Sequence, residues 1–164
     1  MSIELKEARS KRDLKKFINF PYGLYKNHPY FIPPLRMDEM ETLRQDKNPA
    51  FGFCDSRFII AYRNGKPVGR IAGIINHRFI EKWGEKYARF GWLDFIDDEE
   101  VVDLLFRDIE DWARGKGMTS LMGPLGFTDL DREGMLIEGF EELGSMATYY
   151  NYAYYVKHME RLGF

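Results

Sequence analysis

Cysteine is almost absent: Cys54 stands alone among 164 residues. One thiol excludes an intramolecular disulfide and a zinc site built on cysteines. A reducing, cytoplasmic setting is the expectation, and no metal is expected. Apolar stretches never exceed a few residues, so nothing reads as a membrane span. The opening MSIELKEARSKRD is too charged for a secretory leader. Neither sign of charge dominates, with 24 Lys and Arg against 26 Asp and Glu and a net −2. That balance argues against a nucleic-acid binder relying on overall basic charge. Lys11, Arg12, Lys15 and Lys16 make one local basic helix end, read as a solvated face. Three histidines, His28, His77 and His158, are far apart and read as core or solvated residues. No nucleophile elbow, HExxH, CxxC, P-loop or GxGxxG is present. Asp129-x-Asp131-x-Glu133-Gly134 resembles the start of a calcium loop. Its twelfth position, which needs a bidentate acid, is Phe140, so it reads as a polar loop.

What is present points to one α/β domain over residues 1–164. Hydrophobic residues make up 45% and aromatics 16%, enough for a core at this length. Ile3 and Leu5 alternate with charges as a short strand. Ser10 reads as an N-cap, with Asp13 completing a shortened capping box. Leu14, Phe17 and Ile18 form the apolar stripe of that helix, and Pro21 should end or kink it. The stretch PYGLYKNHPYFIPP (21–34) cannot be a clean helix. Its Tyr22, Tyr25, Tyr30 and Phe31 either roof a pocket or cover the core. A second helix follows over 35–44.

Residues 57–62 and 68–75 are strands joined at Asn64-Gly65, a dipeptide suited to a two-residue hairpin turn. Gly69 and Gly73 suggest a close neighbour or a bulge. After a short amphipathic turn over 77–86, residues 87–96 form another strand, where Gly91 marks a bulge. Asp97 to Glu100 open a strong helix with Val101, Val102, Leu105, Ile109 and Trp112 on one face. Residues 119–125 read as a buried strand interrupted by Gly-Pro. A last helix covers 150–162. On it Tyr150 shares a face with Tyr154, and Tyr152 with Tyr155, with their hydroxyls at the rim of an aromatic packing surface.

The element order, with RNGKPVGRIAGII in the hairpin, DIEDWARGKGMTSLMG from helix to strand and YYVKHMERLGF at the end, resembles the GNAT acyl-CoA N-acyltransferase superfamily. The resemblance covers nearly the whole chain. It implies a mixed, mostly antiparallel sheet with helices on both faces. It also implies acyl transfer from acetyl-CoA or another acyl-CoA to an amine or small-molecule acceptor. The fourth strand would pair with the coenzyme arm through Leu93, Asp94 and Phe95, with Asn151 nearby.

Two departures stand against a straightforward transfer of function. The family binds the pyrophosphate at a glycine-rich turn, and here that turn is Asp97-Asp98-Glu99-Glu100. Like charges a few ångströms apart repel by about 1 kcal/mol per pair even in water. The family's tyrosine acid falls on Met159, whose thioether has no proton to give. Tyr155, one turn earlier, is the nearest substitute acid, with Tyr154 the weaker alternative. Glu138, or an acid within 129–133, is the candidate base. A degenerate GNAT-like domain that binds a partner and does no chemistry is the rival reading. The family also continues beyond this point into another strand. The expectation is therefore the N-terminal part of a tandem protein, with a second domain or a second copy completing the sheet.

Overall fold

A computed structural model describes residues 2–164. Five strands form one sheet in the order β1-β2-β3-β4-β5: Ile3–Glu7, Cys54–Arg63, Lys66–Asn76, Tyr87–Phe95 and Ser120–Met122. The first four pair antiparallel and β5 lies parallel to β4. Alternation along β2 sends Ile59 and Ala61 to one face and Phe58 and Ile60 to the other. Each face is covered. Helix α1 (Lys11–Leu24) and helix α2 (Arg36–Thr42) lie on the Phe58 side. After the short helix α3 (His77–Trp83), helix α4 (Glu99–Gly115) and helix α5 (Tyr154–Leu162) cover the Ile59 side. This is the expected mixed sheet with helices on both faces.

Local sequence signals account for most boundaries. Ser10 accepts the Asp13 amide at 3.1 Å, and Asp13 closes the capping box. Asn64 and Gly65 take φ values of 53° and 74°, as the tight hairpin requires. Val101, Val102, Leu105 and Ile109 are fully buried on α4. Gly69 and Gly73 allow that helix to sit close. A Cβ on Gly69 would come within 2.8 Å of Leu105, and one on Gly73 within 2.8 Å of Trp112.

Four expectations are corrected. Helix α1 does not stop at Pro21 but continues to Leu24. The Phe17 carbonyl, which loses its helical donor to the proline ring, instead accepts the Arg70 guanidinium at 2.9 Å. The bulge in β4 is not at Gly91. Ala72 pairs Gly91 while Arg70 pairs Asp94, so the extra residue falls at Trp92–Leu93, with Trp92 at φ 44°. Gly91 is needed for another reason: a Cβ there would sit 2.4 Å from the Leu125 carbonyl. Strand β5 is not buried, and Ser120 and Met122 are exposed on the sheet edge. The last helix starts at Tyr154, so Tyr150 and Tyr152 precede it and share no helical face with Tyr154 and Tyr155.

The Gly91 contact is with backbone, which cannot rotate away. Gly91→Ala should cost about 2–3 kcal/mol, within the range for overpacking, lowering Tm by about 5–10 °C in a chain of this length. Thermal denaturation of the variant measures this directly.

Candidate functional site

Strands β3 and β4 each bury one charged side chain among apolar neighbours. The register sets Arg70 opposite Asp94, and both are buried. Arg70 Nε and Nη2 each lie 2.8 Å from Asp94 Oδ2. The other carboxylate oxygen faces two phenols: Tyr25 Oη at 3.1 Å and Tyr155 Oη at 3.4 Å. Those two hydroxyls are 2.9 Å apart. Tyr155 Oη also accepts the Phe95 amide at 2.9 Å. Burial pushes the Asp94 carboxyl up, with the Arg70 charge opposing it. Burial, then the neighbouring Asp94 charge, holds Tyr155 well above the ordinary phenol range. Tyr25 is held up by burial and by Tyr155. Both phenols are protonated at neutral pH.

The outer edge of β4 is where the resemblance implied a coenzyme arm would pair. Pairing with β5 covers Tyr87 to Arg89, and the Leu125 amide reaches the Phe90 carbonyl. Further along, the Phe95 N–H is taken by Tyr155 and the Phe95 carbonyl accepts the Tyr154 hydroxyl at 2.6 Å. Between Leu93, Pro124, Asn151 and Tyr155 the cleft has about 10 Å³ of free volume, room for about one water. A second space of about 10 Å³ lies against Arg70, Asp94, Arg132 and Tyr149. Burial pushes the Tyr149 phenol up to about 12.

The segment before α5 holds this cleft shut. Asn151 is buried; its Oδ1 accepts the Leu136 amide at 2.8 Å, and its Nδ2 donates to the Leu136 and Tyr152 carbonyls. Tyr152 donates to the Leu24 carbonyl at the end of α1, and Tyr150 to the Phe140 carbonyl. From the 21–34 segment, Tyr25 stacks on Phe31 at 4.5 Å. Tyr22 donates to the Pro34 carbonyl. Arg132 pairs with buried Glu39 at 2.7 Å, and Trp92 donates to the same carboxylate.

At the acidic turn, Asp98 caps α4 by accepting the Val101 amide at 3.1 Å and pairs with Arg63 at 2.7 Å. Glu100 lies 3.3 Å from Arg63, and Asp97 lies 2.8 Å from His158 Nε2. The acids thus serve α4 and its neighbours. The β4 edge is occupied, the cleft is filled, and carboxylates stand at the turn.

Of the residues singled out from sequence, Tyr155, Asp94 and Phe95 meet in one hydrogen-bonded cluster, with Leu93 and Asn151 beside Tyr155 along the cleft. Glu138 is exposed and does not line it. Met159 is buried in the core beside α4. The hydroxyls of the C-terminal tyrosines were expected at a rim, but that of Tyr155 points into the interior, where the buried carboxylate needs donors. Sequence reasoning missed Arg70, Glu39 and Arg132, and it placed Tyr25 only as a residue that roofs a pocket or covers the core. The available signal was an arginine and an aspartate inside two adjacent strands, each flanked by apolar residues or glycine. Among the described residues, no group of three or more His, Cys, Asp or Glu is arranged to hold a metal. No helix among them is long and apolar enough to cross a membrane.

The solved structures that this fold resembles are GNAT acetyltransferases. An acetyltransferase of Trypanosoma brucei superposes with a TM-score of 0.56 at 16% identity, over 99% of this chain and 92% of its own. A tandem GNAT protein from the clavulanic acid biosynthesis pathway gives 0.57 at 18% identity, over 73% of this chain and 35% of its own. An aminoglycoside acetyltransferase from an uncultured soil metagenomic sample, in complex with sisomicin, gives 0.52 at 14% identity, over 73% and 75%. The chain therefore has the GNAT fold. No family model matches the sequence. Protein YghO of Escherichia coli K12 is 35% identical over 155 residues, 94% of this chain. A bacterial ceramide synthase of Caulobacter vibrioides is 33% identical over 135 residues, 82% of this chain. The chain spans 40% and 35% of the lengths of these two relatives.

Two outcomes test the site's energetics. Arg70→Met leaves the Asp94 carboxylate buried without its partner and should cost about 3–5 kcal/mol. Adding Asp94→Asn to that variant should recover much of the loss, read by urea denaturation of both. Asp98 is held below the ordinary carboxylate range by its hydrogen bond to Arg63, and burial opposes this. A lowered folded pKa stabilises above the unfolded value, near 4, and that contribution is lost as pH falls through the folded value. Asp98→Ala should cost about 1–2 kcal/mol at neutral pH, and the gap should narrow below about pH 4. Melting curves at pH 7 and pH 3 check both the cost and its sign.

Proposed function

We propose that this chain is a GNAT-fold domain of an amine N-acyltransferase whose usual acyl-CoA groove is closed by its own side chains. Under this reading it binds an acceptor or a partner domain, and the thioester is carried elsewhere in the protein. The observation that supports it is the double occupation of Phe95, whose amide and carbonyl are taken by Tyr155 and Tyr154. An incoming coenzyme arm would have to displace both hydroxyls and enter a cleft with space for about one water. The acidic turn adds like-charge repulsion toward a pyrophosphate. The named relative points to the reaction class, since a ceramide is the amide of an acyl group with a long-chain amino alcohol. The tandem GNAT protein offers a fold-level parallel for one such domain completing another. The exposed edge strand β5 is a candidate surface for that second domain or for a second copy.

A second reading has one observation in its favour. Tyr155 is a phenol kept protonated by its surroundings beside the β4 edge. If the segments over 21–34 and 126–151 open, Tyr155 is the proton donor and Glu138 the base for an attacking amine.

Melting with acetyl-CoA separates the two. A ligand at about a hundred times its dissociation constant adds about 2.7 kcal/mol, so a working site is conspicuous. The expected result is no shift with acetyl-CoA present at about that excess over a micromolar dissociation constant, and no acyl transfer to amines by the chain alone. Micromolar stabilisation by acetyl-CoA, abolished by blocking residues in the Leu93–Tyr155 cleft, would replace the first reading with the second.

A further inference from the structure

A larger space lies elsewhere, along the outer face of α1. It measures about 870 Å³ and is lined mainly by Arg12, Lys15, Lys16, Phe20, Leu24 and Ile96. Its size falls within the range of small-molecule pockets. Positions 12, 16 and 20 follow one another at i, i+4 along the helix, with 15 and 19 beside them. The helix therefore presents cations in its first half and apolar surface in its second. Pro67 and Ile96 extend the apolar side.

The charges are not spent internally. Arg12, Lys15 and Lys16 are exposed, and none is within ion-pair distance of a carboxylate among the described residues. The nearby Asp13 is committed to the Ser10 cap. Three unpaired cations thus cluster on a chain whose net charge is −2. Phe20 is the only aromatic among the lining residues and it is 7% exposed, so there is no open ring on which a nucleobase could stack.

We infer that this groove binds a single long-chain amphiphile with an anionic head. The phosphate or carboxylate sits against Arg12, Lys15 and Lys16, and the alkyl chain runs along Phe20, Leu24 and Ile96. The head gains charge complementarity and the tail gains burial. The inference needs no coenzyme in the β4 cleft and stands independently of the reading above.

Dodecyl phosphate below its micellar concentration is the probe, titrated calorimetrically into the full chain. Saturable one-to-one binding is expected. Dodecyl trimethylammonium and inorganic phosphate should each bind at least tenfold more weakly, because each lacks one half of the match. Lys15→Glu with Lys16→Glu should weaken dodecyl phosphate at least tenfold, while Lys86→Glu, an exposed lysine elsewhere, should leave it unchanged. Gly23→Trp provides a steric test. Gly23 borders the groove and a Cβ there meets nothing within 4 Å, so the variant should keep its Tm and lose binding. Equal binding of the cationic amphiphile, or full binding by folded Gly23→Trp, overturns the assignment. So does binding only to anionic vesicles, which would make this face a membrane contact and not a pocket for one molecule.

Discussion

Much of this molecule is organised around one buried ion pair. Arg70 and Asp94 sit opposite each other in the middle strands, out of reach of solvent. Removing two charges from water costs several kcal/mol per ion, so the pair persists only where every remaining donor and acceptor finds a partner. Those partners come from different parts of the chain. The Phe17 carbonyl and the Tyr25 hydroxyl come from α1 and the residue that follows it, and the Tyr155 hydroxyl comes from α5. The pair thereby fixes the two helical layers to the sheet between them. It also explains a proline within a helix: Pro21 frees the carbonyl that Arg70 requires.

The same network settles the character of the β4 edge. Tyr155 is drawn inward by Asp94 and in that position meets the Phe95 amide, while Tyr154 takes the Phe95 carbonyl. A strand edge that would otherwise offer one donor and one acceptor to a ligand is satisfied by the protein itself. The bulge at Trp92–Leu93 works alongside it. By adding a residue to β4, it sets Asp94 opposite Arg70 and turns the Trp92 indole toward Glu39, which also holds Arg132. Among the charges left outside without an ion pair, Arg12, Lys15 and Lys16 stand together on α1.

Legibility followed the range of the interactions. The Asn64-Gly65 turn, the Ser10 capping box and the apolar face of α4 are set by residues within a few positions of one another, and each was readable. Gly69 and Gly73 were read as marking a close neighbour or a bulge, and α4 is a close neighbour of both. The failures had partners far away. Pro21 looked like a helix end or a kink because its compensating donor is 53 residues from Phe17, and the helix does not end there. Gly91 looked like a bulge because nothing local revealed the Leu125 carbonyl above it. Tyr150 and Tyr152 looked helical by spacing, yet their hydroxyls bind Phe140 and Leu24 in the segment that closes the cleft.

By itself the sequence determined the order of elements, the hairpin turn, the apolar faces of α1 and α4 and the resemblance to the GNAT fold. All of these depend on periodicity and on short-range backbone preferences. It also placed Tyr155, Asp94 and Phe95 among the residues of interest. Only the tertiary structure decided that these three would consume one another's hydrogen-bonding capacity, and that the cations of α1 would be left facing a groove. Both outcomes depend on which side chains meet across the sheet and which do not, and pairing over such distances leaves no periodic trace in the chain.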